Sequence, residues 1–496
     1  MNETTGAAAL TGDPHLGRKP RRRGVIFPTF LLLVAGSIVV SGLVGFVRVS
    51  HAKPWWPSFY EQDPPVIEWV TEPPGIGADA LSAKLRISDT GGGLDEVVVR
   101  LSQRNQPQQL AKRIFAEQHV ESDEIEFTIN AKDLTLREGK AELEVLAFDR
   151  TLWSNATHLV LPLVVDFAKP RIDVITPQQN GVAGGTELVF FKVVGKAPSQ
   201  QGVEYQGTLY PAFQAKLLDS SFKSYHDLYF AFFPVPIDFS DDAPRMKIMA
   251  RDDIGNAATA NFKYQVRSRR FPTPQTALDL PRAQKITDSL LAANKDSGSG
   301  FTPTGSPAKD LALLLKITHL HDEVVLSEAF STNDGRKWWS QSFGRPVMTL
   351  PSSTMGEQRG YSLEGEEFWR ATAGGVRFAV PSRTAVQAAN AGRISYTGEL
   401  GYFGKTVIID HGFGLTSLYA HLSEITGKVG DEVAAAQAIG RTGDSGFSLG
   451  EEVYFEIRMH GVPVSPNEWW DATWVSDHIT RKIAFVQGTL IGNPGE

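Results

Sequence analysis

The sequence predicts a mainly β protein held by one N-terminal transmembrane helix, with two tandem β-sandwiches, a short helical linker and a C-terminal β domain. Three observations carry this. Gly24 to Val47 is an uncharged run of 24 residues directly behind a basic cluster. Residues 65–268 hold short alternating strands, with one turn pattern that occurs twice. From Ala371 to Asp471, β-branched and apolar runs are cut by glycine turns. The bulk numbers agree. A chain of 496 residues is long enough for several domains, and 42% hydrophobic and 21% charged residues are ordinary for globular ones. The net charge of −7 is mild and the basic residues form no long stripe, so nucleic-acid binding is not expected. Cysteine is absent, which excludes a zinc–thiolate site, a dithiol redox motif and a disulfide frame.

Residues 1–23 are polar, with five basic and two acidic residues, and read as a disordered cytoplasmic tail. Residues 24–47 are long enough, at about 1.5 Å per residue, to cross a hydrocarbon core of about 30 Å. The cluster Arg18-Lys19-Pro20-Arg21-Arg22-Arg23 precedes them, so the N-terminus is expected in the cytoplasm. That makes a single-pass protein of the inner (cytoplasmic) membrane, with the bulk of the chain in the periplasm or extracytoplasmic space. The alternative is a cleaved signal peptide, because Ser50-His51-Ala52 has a small-x-small form. A signal core usually has about 7–15 apolar residues, fewer than this run.

Two units, 65–168 and 169–268, are expected to be immunoglobulin-like sandwiches. Ala147-Phe148-Asp149 leading to Asn155-Ala156 parallels Ala250-Arg251-Asp252 leading to Asn256-Ala257. Asp and Asn suit such turns because they bond their own backbone and tolerate left-handed φ. The two units could be rigid spacers or could bind a wall component or a partner. Residues 276–330 change character. Asp279 and Pro281 suit a helix start, and Ala283, Ile286, Leu290 and Ala293 recur at helical spacing. Asp296 to Pro307 is rich in Ser, Gly and Pro and reads as a loop. A second helix is expected over 308–323, with Leu311, Leu314, Leu315 and Thr318 on one side. It contains His319-Leu320-His321, but residues two apart on a helix do not share a face, so no metal role is expected there. Residues 331–370, with Trp338, Trp339 and Phe343, read as a lead-in packed on the domain that ends near 480.

The C-terminal stretch carries the most specific pattern. Ala388-Ala389-Asn390-Ala391-Gly392, Val407-Ile408-Ile409-Asp410-His411-Gly412, Tyr419-Ala420-His421-Leu422-Ser423, Ile439-Gly440-Arg441-Thr442-Gly443 and Phe455-Glu456-Ile457 follow one another. Residues 371–471 thereby resemble the LytM, or lysostaphin-like, family of zinc endopeptidases that cut cell-wall peptide cross-links. The resemblance implies a His-x-Gly-x-Asp motif for two zinc ligands, and a His-x-His motif holding a catalytic histidine and the third ligand. Here the first motif reads Ala373-Gly374-Gly375-Val376-Arg377 and the second Glu452-Val453-Tyr454. Only His421 of the catalytic set remains. A catalytic zinc needs three protein ligands and an open position. Alanine has no donor, and an arginine cation repels a dication.

The expectation is therefore a pseudoenzyme: a membrane-anchored regulator that binds peptidoglycan or a cell-wall hydrolase, with no cofactor and no metal. The alternative is an active peptidoglycan endopeptidase with a rebuilt zinc site. His421 is expected to be an inherited, non-functional imidazole, and His411 a structural one. Glu452, Tyr454 and Glu456 share one strand face by the two-residue period. The Arg377 guanidinium is expected to enter the vacated position, with Glu452 or Glu456 as its partner, the Tyr454 ring over it, and Ala373 leaving room. Trp469-Trp470 are expected to pack in the core rather than stack on a glycan.

Overall fold

The computed structural model describes residues 62–115, 119–240, 245–293, 301–330 and 335–491. The tail at 1–23 and the expected membrane span at 24–47 lie outside them. Among the described residues no helix is long and apolar enough to cross a membrane.

The first unit is an antiparallel sandwich of two sheets. Val66–Thr71, Leu81–Ser88 and Ser122–Ile129 form one; Gln106–Ile114, Leu94–Gln103, Gly139–Asp149 and Ala156–Val165 form the other. Alternation places the core. Ala83, Leu85 and Ile87 face Ala141, Leu143, Val145 and Ala147, all buried, while the intervening residues point outward. The repeated turns share one construction. Asn155 donates to Asp149 Oδ2 at 2.7 Å, and Asn256 donates to Asp252 Oδ2 at 3.0 Å. In the second copy the asparagine also joins the two units, donating to the Asp166 carbonyl at 2.9 Å and accepting from the Ala78 N–H at 2.9 Å.

The second unit pairs two four-stranded sheets. Its strand Leu228–Pro234 is apolar throughout, Thr186–Val194 is apolar but for Thr186, Glu187 and Lys192, and both are buried on both faces. Val189, Phe191, Val193, Ala231 and Phe233 face the unit's own second sheet. Leu188, Phe190, Phe230 and Phe232 face the other way, into a core shared with Trp339, Phe343, Phe413 and Trp469. Phe230 meets the Phe413 ring edge-on at 4.9 Å, and Phe232 lies 6.2 Å from Trp469. This unit is thus packed into the C-terminal domain along one whole sheet face, which a free-standing spacer would not be.

The expected linker is also structural. Helices α1 (Leu280–Ala293) and α2 (Pro307–Phe330) bury the residues that the helical spacing selects: Ala283, Ile286 and Leu290 on one, Leu311, Leu314, Leu315 and Thr318 on the other. Both pack with Tyr361, Leu363 and Phe447. Strand Gln275–Leu278 runs parallel to Gln358–Leu363, which pairs with Glu366–Thr372, so part of the lead-in is a three-stranded sheet. The C-terminal domain is a nine-stranded sheet whose main order is Val376–Ala379, Glu452–Met459, Leu415–Ile425, Gly404–Gly412, Gly392–Leu400 and Glu432–Val433. The chain then folds back, and Trp469, Val475, Ile479, Ile483 and Val486 enter the main core. Helix Arg481–Ile491, beyond the boundary expected near 480, supplies two of those core residues.

Candidate functional site

The site is built on the strand Glu452–Met459. Its residues Val453, Phe455, Ile457 and Met459 enter the main apolar core. The alternate residues Glu452, Tyr454, Glu456 and Arg458 form the opposite face, yet they are buried too. An ordinary solvated strand face would not be. Here α2 and the 358–372 hairpin cover it. Strand Val376–Ala379 pairs antiparallel with Glu452–Met459 and sets Arg377 opposite Tyr454. The turn before it lies hard against the neighbouring strand, where a Cβ on Gly375 would stand 2.1 Å from the Phe455 carbonyl oxygen.

His421 reaches the same place through a β-bulge. Ala420 and His421 together oppose Thr406, since Lys405 pairs with Leu422 and Val407 with Tyr419. His421 takes φ 62°, and its N–H donates to the Phe403 carbonyl at 2.9 Å. The bulge turns the ring toward Arg377.

The structure brings together all five residues singled out by the sequence. Arg377 Nη1 donates to Glu452 Oε1, and the two side chains are only 8% and 6% exposed. The Tyr454 ring lies 5.5 Å from the Arg377 guanidinium carbon. His421 Nε2 is 3.4 Å from Arg377 Nη1, and its Nδ1 is 2.9 Å from the Ser445 carbonyl oxygen. The carbonyl can only accept, so Nδ1 carries the proton and Nε2 accepts from the arginine. Burial, then the Arg377 cation, lowers the His421 pKa to about 4, so the ring is neutral at neutral pH. Burial alone would push the Glu452 carboxyl up, but Arg377, His421 and the Leu449 N–H hold it below the usual range. Ala373 and Arg377 line one side of a cavity of about 160 Å³ next to this pair.

Glu456 is not the partner of Arg377. Tyr454 donates its hydroxyl proton to Glu456 Oε1 at 2.6 Å, and Arg458 Nε donates to Oε2. Arg458 also grips Glu323 of α2 through Nη1 and Nη2, both at 3.1 Å. At the neighbouring position of α2, Asp322 accepts from the backbone N–H groups of Gly401, Tyr402 and Phe403 at 3.1, 2.7 and 3.2 Å. Burial pushes the Asp322 carboxyl up.

The helix itself is legible in the sequence, but its position over the site has no local signature there. His319 and His321 do diverge: His319 lines the cavity with its ring 4.8 Å from Tyr402, while His321 is exposed. Only the tertiary packing reveals that α2 lies over the site. Arg458 was legible, being the next residue in the Glu452, Tyr454, Glu456 alternation. His411 is structural. It bridges the Ala391 carbonyl and the Ser417 hydroxyl at 2.7 Å each, and burial lowers its pKa to about 4. Trp469 is fully buried, and Trp470 stacks on Phe455.

Residues 371–466 match the profile of peptidase family M23. This segment is a peptidase M23 domain. The chain is 38% identical over 92 residues to a DD-carboxypeptidase/endopeptidase of Neisseria meningitidis, which is 18% of this chain and 21% of that protein. It is 34% identical over 110 residues to the murein hydrolase activator EnvC of Escherichia coli, 22% of this chain and 25% of that one. An uncharacterized Neisseria meningitidis protein matches at 34% over 144 residues, 29% and 21% of the two chains. The chain therefore spans about a quarter or less of the curated relatives it matches.

The zinc that the M23 family implies does not fit the residues present. Ala373 offers no donor atom, Arg377 is a cation already bonded to Glu452, and the Tyr454 hydroxyl is committed to Glu456. Among the described residues, no group of three or more His, Cys, Asp or Glu could hold a metal ion.

Proposed function

We propose that this protein is a membrane-anchored, extracytoplasmic regulator of cell-wall remodelling whose M23 domain is catalytically inactive. Its partner is peptidoglycan or a cell-wall hydrolase. The observation that supports this most is the buried Arg377–Glu452 pair. It stands where the family resemblance places one zinc ligand, at Arg377, and one catalytic histidine, at Glu452, and it ties up the one remaining catalytic-type imidazole, His421. A guanidinium cannot ligate, and a zinc-bound water is the nucleophile that such hydrolysis requires. The likeness to a murein hydrolase activator supports a regulatory role. The two sandwiches are immunoglobulin-like modules in this reading, and the second serves as a rigid base for the M23 domain.

Two experiments test it. Protein purified without a metal-binding tag is expected to contain zinc far below one equivalent by mass spectrometry. It is expected to bind isolated sacculi, or to stimulate a cell-wall hydrolase, without itself releasing muropeptides. Release that a chelator abolishes would replace this reading with that of an active endopeptidase.

The location rests on residues 24–47, placed as an uncleaved span of the inner membrane. Protease added to spheroplasts is expected to digest the bulk of the chain and leave a short protected N-terminal fragment. Digestion only after lysis, or a mature N-terminus at Lys53, would contradict the span.

A further inference from the structure

We propose that the cavity beside the Arg377–Glu452 pair is a binding site for a small zwitterion of the free α-amino acid class. Arg377 would take the carboxylate, and the Glu456 and Glu323 carboxylates the ammonium group. This rests on the reading that the site holds no metal.

The first observation is how unevenly three arginines of the cavity are satisfied. Arg359 uses all three nitrogens, Nε and Nη2 on Glu357 and Nη1 on Thr276. Arg458 does the same, with Nε on Glu456 and both terminal nitrogens on Glu323. In Arg377 only Nη1 has side-chain partners, Glu452 and His421. Among the described residues its Nε and Nη2 meet no acceptor, although the residue is 7% exposed and lines the cavity. Those two nitrogens carry three of the five guanidinium N–H groups, in the fork that matches a carboxylate. A buried cation left so incomplete is costly unless something with acceptor oxygens occupies the space.

The second observation is what else faces that space. The Tyr361 hydroxyl has no hydrogen-bond partner among the described residues, and His319 Nδ1 is buried without one. Together with Arg377 they supply donors or acceptors of both kinds.

Charge and size narrow the class. The cavity is lined by Arg359, Arg377 and Arg458 against Glu323, Glu357 and Glu456, three charges of each sign. Glu452, held by Arg377, adds a fourth carboxylate, so a lone anion would enlarge an excess of negative charge, a lone cation would leave the Arg377 nitrogens unmet, and a zwitterion answers both without adding net charge. Each of these carboxylates retains lone pairs beyond those its arginine uses. The volume of about 160 Å³ is close to that of an engineered cavity, about 150 Å³, that admits benzene, so a ligand of about six non-hydrogen atoms fits. Glycine and alanine are of that size.

The test is calorimetric titration of the full-length protein in detergent at pH 7 with glycine, L-alanine and D-alanine. Acetate and methylammonium serve as half-ligands. At least one amino acid is expected to bind one-to-one, with a dissociation constant on the order of 1 mM or tighter. Each half-ligand is expected to bind at least about tenfold more weakly. Tyr361→Phe removes only a hydroxyl and should weaken the amino acid severalfold with unchanged melting. Ala373→Leu, which fills the cavity, should abolish binding. Acetate binding as well as the amino acids would make this a plain anion site and overturn the proposal. So would heat changes untouched by both variants, or no saturable binding of any amino acid, which would leave water as the occupant. Zinc content of the same protein separates the two readings. Zinc at one equivalent sinks the inactive site, whereas metal-free protein that binds no amino acid sinks only the zwitterion.

Discussion

Arg377→Ala is expected to destabilise the C-terminal domain by about 3–5 kcal/mol, the usual cost of removing one partner of a buried ion pair. The loss comes less from the missing bond than from what remains. Glu452 would be left in a buried place without its cation, held by the Leu449 N–H and the Ser448 side chain alone, and His421 Nε2 would lose its donor. Glu452→Gln in the same background removes the stranded charge and should recover a large part of the deficit. The pair also carries a pH signature. The Glu452 carboxyl is lowered in the folded protein despite its burial. Its contribution is therefore present above the unfolded pKa of about 4.5 and lost as pH falls through the folded value. In Arg377→Ala that acid-side loss should vanish. Urea unfolding followed by tryptophan fluorescence reads both effects. A change below about 0.5 kcal/mol in Arg377→Ala would mark the site as a solvated remnant.

The junction between the second sandwich and the M23 domain should weaken in alkali by about 2–4 kcal/mol between about pH 5 and pH 9. Its titrating group is Glu468, whose Oε2 accepts from the Thr186 N–H at 2.8 Å across the junction. Burial raises the Glu468 carboxyl to about 8. The Glu187 charge nearby adds to the rise, and Arg269 and Lys482 only partly oppose it. Glu187 is itself held charged, below its ordinary range despite burial, by His478 and Lys482. The sign follows from linkage. A raised carboxyl contributes stability that is fully present below about pH 4.5 and is lost as pH rises through about 8, at about 1.4 kcal/mol per unit. The residue keeps some solvent contact, which screens the charged form and brings the total below the unscreened sum. Glu468→Gln keeps an acceptor for Thr186 but does not titrate, so it should match the wild type at pH 5 and exceed it at pH 9. Parallel stability curves for the two proteins across that range would show that this carboxyl titrates normally.

Several features were legible because they are local. Side chains alternate every two residues along a strand, so spacing alone assigns Glu452, Tyr454 and Glu456 to one face. Helical spacing selected Leu311, Leu314, Leu315 and Thr318, and all four are buried in α2. The Asp…Asn turn was readable twice because each copy bonds within six residues. The family resemblance located Ala373, Arg377, Tyr454, Glu452 and His421, and these residues meet in one place.

What the sequence determined by itself is therefore the β character of the chain, its M23 domain, and which residues, Ala373, Arg377 and Tyr454, stand at the matched positions. Tertiary structure alone decided what surrounds them. Glu323 and Arg458 are separated by 135 positions, and Thr186 and Glu468 by 282. No periodicity links such residues. The mostly apolar strand Thr186–Val194, interrupted by Glu187 and Lys192, is consistent with any doubly buried strand, and only packing revealed that its second face belongs to the M23 core. The choice of Glu452 over Glu456 as the partner of Arg377 was open for the same reason. It turned on Arg458 reaching Glu456 first, and on α2 closing the far side of that arginine. Periodicity assigns a residue to a face, but which face meets which is decided by the apolar area and charge that distant segments bury together.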